Sequence, residues 1–457
     1  VKKSIALLAA YGLLAAGGPA RADVVTDWND YATQAVANAL AGARCRPDAP
    51  LPPGPRPLPA TTIDLAMTHL AVHDAVQAIE RRYETYADRV WGASGSTIAA
   101  AAKAAHDVLV ARLPLQTVCL DDRYHQYLAD RGIPEDDNGV EAGREAAARI
   151  IARRANDGSF PSPAPPPFIG STDPGMWRPT PPANAPMAVP WFGDVDRFVL
   201  DEDDRERLAS KAPPRLTSRR YATDFNEVKA LGSLGSATRT QAQTYLAHFY
   251  SDNPILMWNR ALRAIAAARH MDTGKAARLF ALANMATADA LMTAWDNKNR
   301  YANWRPITAI REAHLDGNPD TQEDETWQPL INTPNYPDWT SGANSVSGAM
   351  TQAVSRFFRT DRLGFTLTSN ASPVVLPPPH NVRTYTRLSR AAADMVEARM
   401  LLGFHFRFAD EAGRRDGEFV ARRAIRCFLR PVDDDFDGGG RCGGDDDDAH
   451  DGDDDED

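Results

Sequence analysis

The chain has 457 residues, 43% hydrophobic and 25% charged, enough for one large packed domain or two ordinary ones. Its formal net charge of −10 is uneven: residues 433–457 hold fourteen acids and one arginine, and residues 1–22 hold only Lys2, Lys3 and Arg21, which leaves 47 of each sign over 23–432. A neutral body excludes bulk electrostatic attraction to nucleic acid or to an acidic partner.

Residues 1–22 read as a secretory signal. Lys2 and Lys3 precede the apolar run SIALLAAYGLLAA, and ARA at 20–22 has the small-x-small form of a cleavage site. The run is short for a membrane span, and no later segment is long enough, so the expectation is a periplasmic or secreted chain without a span once processed. Cys45, Cys119, Cys427 and Cys442 suit that compartment; four cysteines allow three pairings, which sequence leaves open. No Cys/His spacing matches structural zinc.

Residues 23–60 are expected as a proline-rich lead-in, with the prolines concentrated in RCRPDAPLPPGPRPLPA. Residues 61–432 are expected as one helical domain. TTIDLAMTHLAVHDAVQAIERRY repeats apolar residues at helical spacing. Further helical patterns cover about 96–113, 118–131 and 138–156. Residues 159–195 are too rich in proline for helix and predict an irregular wrap over the surface. Helical pattern resumes over about 204–211, 222–233, 237–249, 253–270, 273–299, 305–314, 342–359, 381–404 and 409–429. The best strand signal is SPVVLPPP at 372–379, and it is short. The fold class is therefore all-α, a helical bundle with long proline-rich ordered loops. The acidic tail 433–457 is low in complexity, cannot bury apolar area and reads as a solubilising, disordered segment.

WDNKNRYANWRPITAIR, residues 295–311, sits among ordinary helix pattern yet carries four cations, two tryptophans, a tyrosine and a proline. That mixture predicts cations held in place by an aromatic frame, which is how a protein builds an anion seat. Trp258, Trp295, Trp304 and Trp339 are read as that frame. Three segments share the chemistry. Lys298 and Arg305–Pro306 form K-x6-R-P. In YPDWTSGANSVSGA, Thr340–Ser341–Gly342 opens a helix, where a hydroxyl and free N–H groups can meet an oxyanion and glycine lets the backbone come close. In EARMLLGFHFRF, Arg399 precedes His405 by six residues. His69 and His73, four apart with Asp74 adjacent, have a metal-compatible spacing but no H-E-x-x-H context, and read as packing within the first core helix.

These three segments, in this order, resemble the signature of the superfamily joining type 2 phosphatidic acid phosphatases with vanadium-dependent haloperoxidases. HLAVHDAVQAIERRY at 69–83, FYSDNPILMWNR at 249–260 and ADALMTAWDNKNRYANWRPITAIR at 288–311 resemble its soluble bacterial haloperoxidase-like branch. The resemblance covers roughly 60–430. It implies that Lys298, Arg305 and Arg399 surround a phosphate or vanadate, and that Ser341 and the N–H of Gly342 donate to it. It implies that His405 attacks phosphorus, or ligates vanadium where vanadate is bound. It implies an exported peroxidase or phosphatase acting on a small oxyanion or phosphate ester, or on peroxide and halide, with vanadate as the only cofactor.

The sequence departs from the family pattern at two places. The usual Pro-Ser-Gly-His is here Thr340–Ser341–Gly342–Ala343, so the histidine that handles a proton in relatives is absent; losing such help costs ~10²–10⁴-fold in rate. An oxyanion-binding member with little turnover is the alternative this implies. The acid that many members carry four residues after the last histidine is replaced by Ala409, with Asp410 and Glu411 following.

Overall fold

The computed structural model describes residues 23–49, 56–209 and 211–432. The signal segment, the acidic tail and Cys442 lie outside them. The described residues are helical, as the periodicity predicts, with a single two-stranded sheet among them.

The first half contains α1 (Val24–Leu40), α2 (Ala60–Glu80), α3 (Thr97–Arg112), α4 (Thr117–Ala129) and α5 (Asn138–Arg153). The expected lead-in thus begins with a helix. α1 buries Trp28, which is ringed by Tyr31, His106, Tyr124 and Tyr127. Behind α1, Cys45 is bonded to Cys119 of α4, which selects among the open pairings. α2 is buried from Ala60 to Ala78. Its polar groups therefore need partners, and find them. Asp64 takes Arg56 and Arg112, Asp74 takes the N–H groups of Tyr86 and Ala87, His69 Nε2 meets Asn29, and His73 Nε2 meets the carbonyl of Glu84. The two histidines do pack and bond within the core.

The second half contains α6 (Glu202–Ala209), α7 (Arg219–Leu231), α8 (Gln241–Phe249), α9 (Pro254–Ala268), α10 (Thr273–Tyr301), α11 (Pro306–Arg311), α12 (Gly342–Phe358), α13 (Leu388–Leu401) and α14 (Arg407–Cys427). At 29 residues α10 is about 44 Å long. It packs against α2 in the first half and against α12 and α14 in the second, so it is the shared spine.

The strand expectation is corrected. The hairpin is β1 (Phe365–Thr368) with β2 (Val382–Tyr385), antiparallel, Phe365 opposite Tyr385. Residues 372–379 form its connecting loop, where Val374 is 88% exposed and so contributes no strand packing. The helix expected from 381 begins at Leu388.

The proline-rich stretch wraps the C-terminal half of α10 and is irregular apart from a short 3-10 helix at Pro190–Asp194. Its backbone is tied at several points, Trp177 N–H donating to Ala302 O, Trp295 Nε1 to Ala188 O and Asn299 Nδ2 to Pro190 O, and its Trp177, Met187, Phe192 and Val195 side chains are buried in the core. Beyond it, the Asp289 carboxylate accepts the N–H groups of Phe198, Val199 and Leu200 at 2.7–2.9 Å.

α12 and α14 meet along a seam of small residues. A Cβ at Gly413 would overlap the Ser341 carbonyl oxygen, one at Gly417 that of Ser345, and one at Gly348 that of Arg414. The glycines let the two backbones touch, and this draws the first turn of α14 onto the start of α12. Gly417→Ala gains ~0.5–1 kcal/mol of helix propensity but overpacks a rigid backbone contact, which costs ~1–3 kcal/mol or more. The expected result is a lower Tm by calorimetry; an unchanged or higher Tm would mean the helices part without cost.

Candidate oxyanion site

Every predicted site residue lies at an element end. Lys298 is in the last turn of α10. Ala302, in a left-handed conformation (φ 43°), ends that helix and turns the chain to Arg305, which precedes Pro306 at the start of α11. Ser341 is the N-cap of α12. Arg399 is in the last turn of α13. Gly403, at φ 83°, then reverses the chain where any side chain would strike Gly232 and Pro329, and this swings His405 back toward Arg305. That turn is why the spacing from Arg399 to His405 works.

The structure brings these groups together. Arg305 Nη1 lies 3.2 Å from both ring nitrogens of His405 and donates to the Phe404 carbonyl at 2.5 Å. The Arg399 guanidinium lies 4.3 Å from the Phe404 ring centroid and donates to Tyr250 O at 3.4 Å. The Ser341 N–H donates to Ala409 O, in the first turn of the helix that follows His405. Lys298, Arg305, Ser341, Arg399 and His405 are all buried. The aromatic frame exists: Tyr336 lies 5.1 Å from Lys298 Nζ and 4.8 Å from Arg305 Cζ, and Trp295 lies 5.9 Å from Lys298 Nζ. Trp258, Trp304 and Trp339 are buried but do not stack on these cations; Trp258 packs on Phe365 and Trp339 on Phe408. The other two cations of the 295–311 stretch stand apart, Arg300 on Glu206 and Arg311 on the Trp327 carbonyl.

Two roles differ from expectation. Lys298 Nζ donates to the carbonyls of Pro337, Asp338 and Thr340 at 2.6–3.0 Å, so its three protons are spent on the turn before Ser341. It contributes charge and pins that turn. Gly342 was expected to make room for a ligand. Instead a Cβ there would meet Leu291 and Trp295, so α10 is what requires the glycine.

Two acids were missed. Asp338 Oδ1 lies 2.7 Å from His405 Nδ1 and 3.4 Å from Arg305 Nη1, so the ring is oriented by a carboxylate 67 residues away rather than by one after it. An acid within YPDWTSG was the available signal. Asp410, next to Ala409, accepts from Asn344 Nδ2 at 2.8 Å, and the same amide donates to Ser341 Oγ at 3.2 Å.

Burial drives the electrostatics. It pushes His405 well below its ordinary pKa, helped by Arg305, Lys298 and Arg399, which favours the neutral ring, with Nδ1 on Asp338 and Nε2 facing Arg305. Burial, then Arg305, pushes Lys298 well below its ordinary value. Burial raises Asp338 to about 7 against the pull of Arg305 and Lys298, and raises Asp410 well above the carboxylate range. Within this cluster, Arg305 Nη2 and Arg399 Nε are buried and have no acceptor among the described residues. The Ser341 side chain does not cap α12, so the first N–H groups of that helix lack a side-chain acceptor. This donor set, with a neutral imidazole beside it, fits a tetrahedral oxyanion.

Solved structures with this architecture include a bacterial vanadium-dependent iodoperoxidase, TM-score 0.73 and 21% identity over 92% of this chain and 100% of that one. They also include apo and holo bacterial vanadium-dependent chloroperoxidases, TM-scores 0.66 and 0.63, identities 18% and 19%, covering 81% and 87% of this chain and 93% and 96% of theirs. The fold is thus the helical fold of those enzymes. Residues 278–434 match the model of the VCPO second helical-bundle domain. Over 186 residues the chain is 28% identical to the vanadium chloroperoxidase of Curvularia inaequalis, a match that spans 36% of this chain and 30% of that protein. Residues 278–434 thus resemble a vanadium chloroperoxidase domain in sequence, and the described chain resembles bacterial vanadium haloperoxidases in fold.

An oxyanion that binds only the native state raises stability by mass action. Millimolar orthovanadate or phosphate is expected to raise the Tm, and Arg305→Ala and Arg399→Ala to shrink that shift. Arg305→Lys restores only part of it, because an ammonium lacks the planar fork. Equal shifts in parent and variants would place the anion elsewhere.

Proposed function

We propose that this chain is a vanadate-dependent peroxidase of the haloperoxidase kind, working on hydrogen peroxide and a halide. The observation that carries the reading is the neutral His405 ring, held by Asp338 on Nδ1 and by Arg305, next to guanidinium nitrogens without acceptors. Arg305, Arg399, the Ser341 hydroxyl and the Gly342 N–H would hold the oxygens of vanadate, with His405 Nε2 as the protein ligand. Lys298 would supply charge from behind the turn it pins. Bound there, vanadate supplies Lewis acidity that activates peroxide toward halide.

The chain's own residues set the conditions for that chemistry. Asp338 fixes the tautomer of His405, so that the proton stays on Nδ1 and Nε2 keeps its lone pair. Burial of the cluster keeps bulk water from screening the cations. The absent proton-handling group at Ala343 favours a second reading, in which the seat binds phosphate or vanadate with little turnover, or hydrolyses phosphate esters. No helix among the described residues is long and apolar enough to cross a membrane. In this reading the enzyme acts outside the cytoplasm, which the Cys45–Cys119 disulfide supports.

The test uses protein loaded with orthovanadate and freed of excess. Peroxide-dependent oxidation of iodide, bromide and chloride is measured alongside phosphate ester hydrolysis by the unloaded protein. Halide oxidation is expected only with vanadate, inhibited by phosphate and abolished in His405→Ala. Halide oxidation that survives His405→Ala sinks the peroxidase reading. Tight vanadate binding without peroxidase turnover selects the second.

A further inference from the structure

We propose that Asp410 is the proton donor and acceptor of this site, a catalytic residue in place of the histidine absent at position 343. The inference rests on the oxyanion seat with His405 and adds the group that protonates a leaving oxygen.

The placement follows from the helix seam. Gly413 and Gly417 draw the first turn of α14 onto Ser341 and Ser345, and the Ser341 N–H is tied to Ala409 O. Asp410 is thereby fixed against the turn in which relatives carry their histidine. Asn344 Nδ2 bridges Ser341 Oγ and Asp410 Oδ1, which sets the orientation of the carboxyl. The other oxygen, Oδ2, is buried and has no hydrogen-bond partner among the described residues. The groups facing the carboxyl are Ser341 and Asn344 from α12, Asp338 from the preceding loop, Arg399 from α13, and Lys298 and Arg305 from the end of α10 and the start of α11.

The other candidates are excluded by their contacts. Asp338 also has a buried Oδ2 without a hydrogen-bond partner among the described residues, but its Oδ1 is engaged with His405 and Arg305, which makes it the group that orients the ring. Glu411, next in sequence, pairs with Arg220 at the surface. The Ala343 methyl and the Asn344 amide carry no exchangeable proton of useful acidity. Burial pushes Asp410 well above the carboxylate range, Asn344 occupies Oδ1, and Oδ2 beside Ser341 is left as the oxygen placed to carry a proton.

On a phosphate monoester the steps balance as follows. The Nε2 lone pair of His405 forms an N–P bond while the ester P–O bond breaks. The departing oxygen keeps the bonding pair and takes the Asp410 proton, leaving a carboxylate faced by Arg399, Lys298 and Arg305. Water then forms a P–O bond as N–P breaks, the pair returns to Nε2, and the water proton returns to Asp410. Inorganic phosphate leaves.

The experiment compares an aryl phosphate of an acidic phenol with an alkyl phosphate, using the full chain without vanadate. Asp410→Asn keeps the volume and removes the acid. It is expected to lose ~10²–10⁴-fold in kcat on the alkyl ester and little on the aryl ester. The limb of the pH profile that reports ionisation of the acid should vanish with it. Phosphate-induced stabilisation should persist, and the infrared carbonyl band of a buried protonated carboxyl should be absent. Ala343→His added to Asp410→Asn should recover alkyl turnover. Equal losses on both esters, an infrared spectrum unchanged by Asp410→Asn, or no alkyl hydrolysis by a parent that still binds phosphate would each overturn the proposal and leave the seat standing. A parent that binds no phosphate or vanadate would remove the proposed function itself.

Discussion

The constraint on which this structure turns is the burial of Lys298, Arg305 and Arg399 within one cluster. Taking an ion out of water costs several kcal/mol, and like charges add to it. The fold answers with dipoles. Lys298 and Arg399 each sit in the last turn of a helix, where the backbone presents partial negative charge, and Lys298 also takes three carbonyls. Tyr336 and Phe404 add their ring faces, and Asp338 adds a carboxylate. The start of α12 points the opposite way and offers N–H groups. Two helix C-termini thus hold cations while one N-terminus is left for an anion.

That division explains an asymmetry among the cations. A lysine carries three donors on a point charge, whereas an arginine spreads five over a fork. Lys298 spends all of its donors on backbone and acts at a distance. Arg305 can bond Tyr336, Phe404 and the His405 ring and still keep Nη2 unbonded. The two residue types are not interchangeable here, although sequence reading gives them one role.

The helical class, the three motif segments and Trp295 of the expected frame were legible because each rests on local pattern. Periodicity marks α2 and α10, and short spacing marks Lys298 with Arg305 and Arg399 with His405. What was not legible depends on distant partners. Asp338 reaches His405 across 67 residues, and Asp410 acquires its surroundings only when the Gly413–Gly417 seam closes on α12. α1 was hidden by prolines downstream of it, since composition was averaged over 23–60 and a helix fills the first part. The valines at 374 and 375 suggested a strand by residue type, but strand pairing needs a partner, and the alternating FTLT found one in VRTY instead.

The proline-rich wrap has a consequence for how the sequence can drift. It is held at a few points, by backbone hydrogen bonds and by the buried Trp177, Met187, Phe192 and Val195, and the chain just beyond it is gathered by the Asp289 carboxylate. Between such points, lengthening an irregular segment costs little, since doubling a loop adds only about 0.6 kcal/mol of closure entropy. Insertions and deletions within the mostly exposed runs 161–167 and 181–186 therefore face weak selection from stability, so long as the buried Trp177, Met187, Phe192 and Val195 and the attachments to Ala302, Trp295 and Asn299 persist. The chain over the C-terminal half of α10 is free to diverge in length while the groups beneath it are held in register.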